Sequence, residues 1–163
     1  MGIDPGLNTT GYGVIEVTGS KIRLIEAGVV RSKAKASIET RLHEIHTGVT
    51  EVIQAHDCQM MSLEQLFSHY DRPRTAILMG HARGVICLAA AAAGIPVVHF
   101  EPTRVKKVLT GNGRAPKHQM QLAVQSQLNL PSLPEPADVA DALAIALCGY
   151  HLGSGSPMSE LLK

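Results

Sequence analysis

Gly2-Ile3-Asp4-Pro5-Gly6-Leu7-Asn8-Thr9-Thr10-Gly11-Tyr12-Gly13-Val14-Ile15 is the stretch around which the other 149 of 163 residues are organised. An apolar approach ends on one aspartate, and Pro5-Gly6 then reverses the chain into a second strand. Proline has no N–H for a ladder and glycine tolerates positive φ, so the first strand stops just after Asp4. A carboxylate held at a strand terminus by a rigid turn is well placed to meet a metal ion. Read alone, Asp-Pro-Gly is equally a plain turn in which Asp4 bonds to its own backbone. The acids further along decide between these readings.

Outward from that stretch, Thr10 to Val17 and Ile22 to Arg31 are rich in β-formers and are separated by the turn cluster Thr18-Gly19-Ser20. With the opening they predict three antiparallel strands. Apolar residues at Ile38, Leu42, Ile45, Val49 and Val52/Ile53 have helical spacing, predicting a helix from Ser37 to near His56. His43 and His46 on it lack neighbouring ligand types and read as solvated surface. Met60 to Phe67 reads as a fourth strand with Glu64 late in it. A polar loop from Ser68 to Arg74 leads into a long helix ending near Ala93, with Pro73 near its first turn. The latter half of that helix, Gly84 to Ala93, is small and apolar nearly all round, so it packs under its own sheet or against a second subunit. Val97 to Phe100 predicts a fifth strand. Pro102 to Leu109 and Lys117 to Leu128 predict helices around a glycine-punctuated basic loop, and a last helix runs from Asp138 to Leu147. A single domain is expected to occupy 1–152, with 153–163 a flexible Gly/Ser tail.

A formal charge of +1 says nothing about partners, but its distribution does. Between Arg72 and Lys117 eight cations face a single acid, Glu101, while the rest of the chain is net acidic. One-sided charge of this kind suits a polyanion, although an ordinary solvated face has the same composition. Cys58, Cys87 and Cys148 are odd in number, widely spaced and set in apolar contexts. They read as buried thiols of a reducing compartment rather than a disulfide frame or zinc site, which points to the cytoplasm. The first residues lack a secretory signal pattern, and apolar runs are interrupted by charge, glycine or proline.

Asp138 and Asp141 are three apart, so both carboxylates leave one helix face, in what reads as its first turn. There they could simply complement the helix dipole. Together with Asp4 and Glu64, however, they make two strand-end acids and a helical pair. Four such groups repel unless divalent cations neutralise them, and hard oxygen ligands select magnesium or manganese. Two such ions roughly 4 Å apart can activate a water and stabilise the leaving oxygen of a phosphodiester. Gly111-Asn112-Gly113 is weak evidence for a nucleotide site, because it follows a helix rather than a strand.

Gly2-Ile3-Asp4-Pro5-Gly6, Leu63-Glu64-Gln65-Leu66-Phe67, Gly80-His81-Ala82-Arg83-Gly84 and Ala137-Asp138-Val139-Ala140-Asp141-Ala142-Leu143 occur in the order, and closely resemble the motifs, of the RuvC family. These are Holliday-junction resolvases. The resemblance runs from Gly2 to about Leu147 and implies an α/β, RNase H-like fold. Its five-stranded mixed sheet would have three antiparallel strands, then two parallel ones, with helices on both faces. It implies a homodimer that nicks two opposed, like-oriented strands, leaving 5′-phosphate and 3′-hydroxyl ends, and that works with the RuvAB branch-migration complex. Asp4, Glu64, Asp138 and Asp141 match the metal-binding catalytic acids, for two Mg2+ ions per site with Mn2+ able to substitute. Phe67 matches an aromatic wedge at the crossover, and Lys106 and Lys117 match lysines near DNA phosphates; Arg114, Tyr70 and Arg74 join the expected DNA contacts. Arg83 is expected to serve packing or dimer contact.

Three features depart from the family pattern: only Met1 precedes the opening glycine, Tyr70 to Thr75 is unlike the common loop, and the first acid of the terminal pair is Asp138 where some members have histidine. The competing readings are a non-cleaving junction-binding protein, which predicts lost acids, and a nuclease of the YqgF type, which matches Phe67 and Gly80 to Gly84 less well. An actin-like ATPase would need two such lobes.

Overall fold

A computed structural model describes residues 1–66 and 73–153. The strands are β1 (Gly2–Asp4), β2 (Thr9–Thr18), β3 (Lys21–Arg31), β4 (Met61–Glu64) and β5 (Val97–Phe100). The helices are α1 (Ile38–Ala55), α2 (Pro73–Ala92), α3 (Pro102–Thr110), α4 (Lys117–Leu128) and α5 (Ala137–Gly153). They form one five-stranded sheet in the order β3-β2-β1-β4-β5. β1 to β3 pair antiparallel, and β4 and β5 add to β1 in parallel. The expected mixed sheet is therefore the observed one, and its short first strand is its centre.

Strand alternation sorts side chains to two faces. Ile3, Val14, Met61 and Leu63 go to one, where they meet Ile45, Val49 and Ile53 of α1 and Ala82, Ile86, Ala89 and Ala90 of α2. Val98 and Phe100 go to the other, against α3, α4 and α5 through Val105, Leu109, Val124 and Leu143. Helices thus cover both faces, and α5 is the most deeply set, with residues 142–149 all buried.

Several expectations shift at their edges. β4 ends at Glu64 rather than Phe67, after Gln65 N–H makes a last bond to Phe100 O at 2.9 Å. α5 continues past Leu147 to Gly153. Asp138 lies in its first turn, whereas Asp141 belongs to the next, so only Asp138 is placed to complement the helix end. α2 is not covered all round: Ile77 is 61% and Leu88 57% exposed. By length and composition alone α2 could cross a membrane, yet its inner face is built into the core and Arg83 sits within it. His43 is exposed as expected, and His46 is half-buried. Cys58 and Cys148 are buried free thiols, and Cys87 is half-buried. Phe67 and Tyr70, and the tail from residue 154, lie outside the described residues.

Candidate active site

Asp4 and Glu64 are the last residues of two neighbouring parallel strands, and alternation decides which face they serve. Ile3 and Leu63 point to the α1/α2 side. Asp4 and Glu64, one residue on, therefore turn to the α5 side. What brings α5 so close is a floor without side chains. A Cβ on Gly2 would collide with the backbone of Ala142 and Ala146, one on Gly11 with the carbonyl of Asp138, and one on Gly13 with Leu143. Gly11 is the register partner of Asp4. The helix turn that carries Asp138 thus lies directly across the strand pair that carries Asp4.

The turn after Asp4 is tied from both sides. Thr10, fully buried, donates its hydroxyl to Gly6 O at 2.8 Å and receives Gly6 N–H at 3.4 Å. Arg41 reaches across from α1 to Leu7 O at 3.1 Å and to Asn8 Oδ1. Neither Thr10 nor Arg41 stood out in the sequence, because a threonine in a strand and an arginine on an amphipathic helix are common. Gly11 and Gly13 are a readable signal, since glycine two apart in a strand marks a close approach on one face.

The acids lie close enough to act on one another's charge. Burial raises the proton affinity of Asp4 most, and Glu64, Asp141 and Asp138 add to it, so its pKa is pushed up to about 8. Glu64 is raised to about 7, by burial and then by Asp141, against the opposing charges of Lys106 and Lys117. Asp141 is also raised, chiefly by burial, with Lys117 pulling the other way. Lys117 Nζ lies 3.8 Å from Asp141 Oδ2 at the start of α4. With 77% of its side chain exposed, Lys117 makes an ion pair of little worth to stability, free to turn to another anion. Lys106 of α3 is the second cation acting on this cluster.

Among the described residues, no group of three or more His, Cys, Asp or Glu side chains is drawn together tightly enough to form a ready-made metal cage. The donor set nevertheless fits a hard divalent cation: all four groups offer carboxylate oxygen, and their mutual repulsion is what such a cation relieves. Two hollows, of about 630 Å³ between β3 and α1 and about 980 Å³ beside Met1, are lined by none of the four acids. Arg114 is exposed in the loop between α3 and α4, its N–H bonded to Asn112 Oδ1 at 2.9 Å. Arg74 is exposed in the first turn of α2.

The family model of the crossover junction endodeoxyribonuclease RuvC matches residues 1–149. This chain belongs to the RuvC family. The RuvC of Rhodopirellula baltica is 66% identical over 162 residues, covering 99% of this chain and 90% of that one. Among solved structures, Thermus thermophilus RuvC superposes with a TM-score of 0.84 at 36% identity, covering 93% of this chain and 95% of that one. T. thermophilus RuvC in complex with a Holliday junction substrate gives a TM-score of 0.86 at 33% identity, covering 95% and 94%. The five-stranded sheet with helices on both faces is accordingly the RNase H-like fold of RuvC.

Proposed function

We propose that this protein is a crossover junction endodeoxyribonuclease, a metal-dependent, structure-selective nuclease that resolves Holliday junctions by paired symmetric nicks in homologous recombination and DNA repair. The observation that carries the reading is the convergence of Asp4, Glu64, Asp138 and Asp141 at the ends of β1 and β4 and the start of α5, with Lys117 beside them. A non-cleaving junction binder has no use for four costly acids in one place.

Asp4, Glu64, Asp138 and Asp141 are the residues that would hold magnesium, or manganese in its place, as two ions per site. Bound there, such ions activate a water and stabilise charge on the scissile phosphate. Asp4 and Glu64 must give up any protons they hold before they can serve as ligands, which their raised proton affinity opposes at and below neutral pH. Lys106 and Lys117 supply fixed positive charge for DNA phosphates, and Arg114 and Arg74 extend that field along the exposed side of α3–α4 and the start of α2. Hydrolysis joins the water oxygen to phosphorus and leaves its proton on the departing 3′ oxygen, giving 5′-phosphate and 3′-hydroxyl ends.

The nuclease domain is assigned to 1–152, the assembly to a homodimer, the working partner to RuvAB and the compartment to the cytoplasm, where the free thiols Cys58, Cys87 and Cys148 stay reduced. The test is incubation of purified protein with an end-labelled four-way junction, with and without magnesium. Paired nicks giving ligatable duplexes only with magnesium are expected. Binding without cutting, or equal cutting of linear duplex, overturns the assignment.

A further inference from the structure

The backbone of Glu64 is where the sheet runs out of partners. Ser62 N–H donates to Met1 O at 2.8 Å, so every second residue of β4 turns its backbone groups toward β1. Two residues on, that alternation sets the carbonyl of Glu64 opposite position 5. Position 5 is proline, which has no N–H to give. An unpaired carbonyl there would put its negative end beside a cluster of carboxylates.

Arg83 occupies this gap from α2. Its Nε donates to Glu64 O at 3.2 Å, and its Nη2 meets His99 Nδ1 at 2.6 Å. His99 stands in β5 beside Leu63, the residue before Glu64. One planar group therefore spans the ends of both strands. Its helix cannot drift, because Ala82 and Ile86, on either side of Arg83 in sequence, are fully buried. A rigid fork can hold two acceptors at fixed angles, which a lysine ammonium cannot.

We infer that Arg83 is a positioning residue: it supplies the hydrogen bond that Pro5 withholds and, braced on His99, sets the direction of Glu64 at the active site. The inference rests on Glu64 being a metal-holding acid, and it deepens that assignment by naming what holds Glu64 in place. It also separates Arg83 from the cations that hold DNA, since its Nε and Nη2 are both engaged within the protein.

The experiment compares Arg83→Gln, Arg83→Lys and His99→Leu with wild type in three measurements. These are single-turnover cleavage of a four-way junction at saturating protein, junction affinity without divalent metal, and calorimetric titration of junction-free protein with Mn2+. Arg83→Gln is expected to slow cleavage and weaken Mn2+ binding, each by about 10–100-fold, the usual effect of removing an outer partner of a metal ligand. Junction affinity stays at the wild-type level. Arg83→Lys recovers part of the loss, and His99→Leu loses less than Arg83→Gln in the same direction. Wild-type cleavage and Mn2+ affinity in Arg83→Gln overturn the inference, as does lost junction affinity with an unchanged single-turnover rate. If Arg83→Gln does not melt cooperatively, His99→Leu decides by the same readouts. Glu64→Gln is run alongside: an unaltered Mn2+ isotherm there overturns the assignment of Glu64 itself, a result distinct from failure of Arg83 alone.

Discussion

A carboxyl group at the end of a three-residue strand, half-buried and facing three other acids, has an unusual proton. In metal-free protein Asp4 is pushed up to about 8 and Glu64 to about 7. The folded state therefore holds protons that the unfolded chain has already released above its ordinary carboxylate range. Where the native state binds more protons, stability falls as pH rises. In chelator, the melting temperature is expected to drop between about pH 4 and pH 8, as Asp4 and Glu64 ionise within the fold. Asp4→Asn should flatten that decline and raise the melting temperature at pH 8, while added Mn2+ should restore wild type there. A scan of melting temperature against pH in chelator, for both proteins, checks the sign; an upward trend for wild type contradicts it. The same groups predict the behaviour of isosteric variants. Asp4→Asn, Glu64→Gln and Asp141→Asn should each reduce cutting below detection with junction affinity retained, because metal-holding and phosphate-holding groups are different residues. Gel-shift and cleavage assays on one preparation separate the two.

At the scale of elements, the site exists because α5 lies on a floor of glycines. Gly11→Ala would drive a methyl group into the carbonyl of Asp138, against backbone that cannot give way. A cost of about 1–3 kcal/mol in stability is expected, as for overpacking generally, together with displacement of Asp138 and lost cleavage. Urea unfolding and the junction assay report these separately. α3 and α4 contribute through their lysines. Lys106→Ala and Lys117→Ala should each weaken junction binding and reduce the slope of log affinity against log salt by about 0.9, the effect of one phosphate contact; an unchanged slope would place them off the DNA path. Much of this was legible beforehand. Pro5-Gly6, Gly19-Ser20 and Gly94 with Pro96 punctuate the chain where strands and helices end or begin. The end of α5 was not legible, since Gly149 reads as a stop. It is instead a gap that admits the Ser62 side chain, and the helix runs through it. The faces of α2 were not legible either, because alanine and glycine carry little periodic contrast. Arg83 was visible only as part of a motif; its use follows from Pro5, almost eighty residues away in sequence.

For the whole molecule, the remaining question is what meets α2. Its inner residues Ala82, Ile86, Ala89 and Ala90 are locked into the core, whereas Ile77, Gly80, His81, Gly84, Leu88 and Ala91 form an exposed stripe with helical spacing. Two-fold pairing of this stripe would bury Ile77 and Leu88 and leave each active site facing away on the α5 side of its own sheet. Small residues at Gly80 and Gly84 would let the helices approach closely. A four-way junction offers two equivalent incision points, and a two-fold protein matches them. Of the alanines near the end of the helix, Ala90 is fully buried and a charge there would test folding; Ala91 is exposed and is the informative position. Ala91→Glu and Leu88→Glu should therefore keep the melting temperature close to wild type, shift sedimentation from dimer toward monomer, and convert paired nicking into single, uncoordinated nicks. Sedimentation velocity beside a supercoiled cruciform substrate, on which paired nicks linearise and single nicks only relax, reads both consequences. A wild type that sediments as a monomer with and without junction, yet linearises the cruciform in one binding event, would exclude pairing through α2.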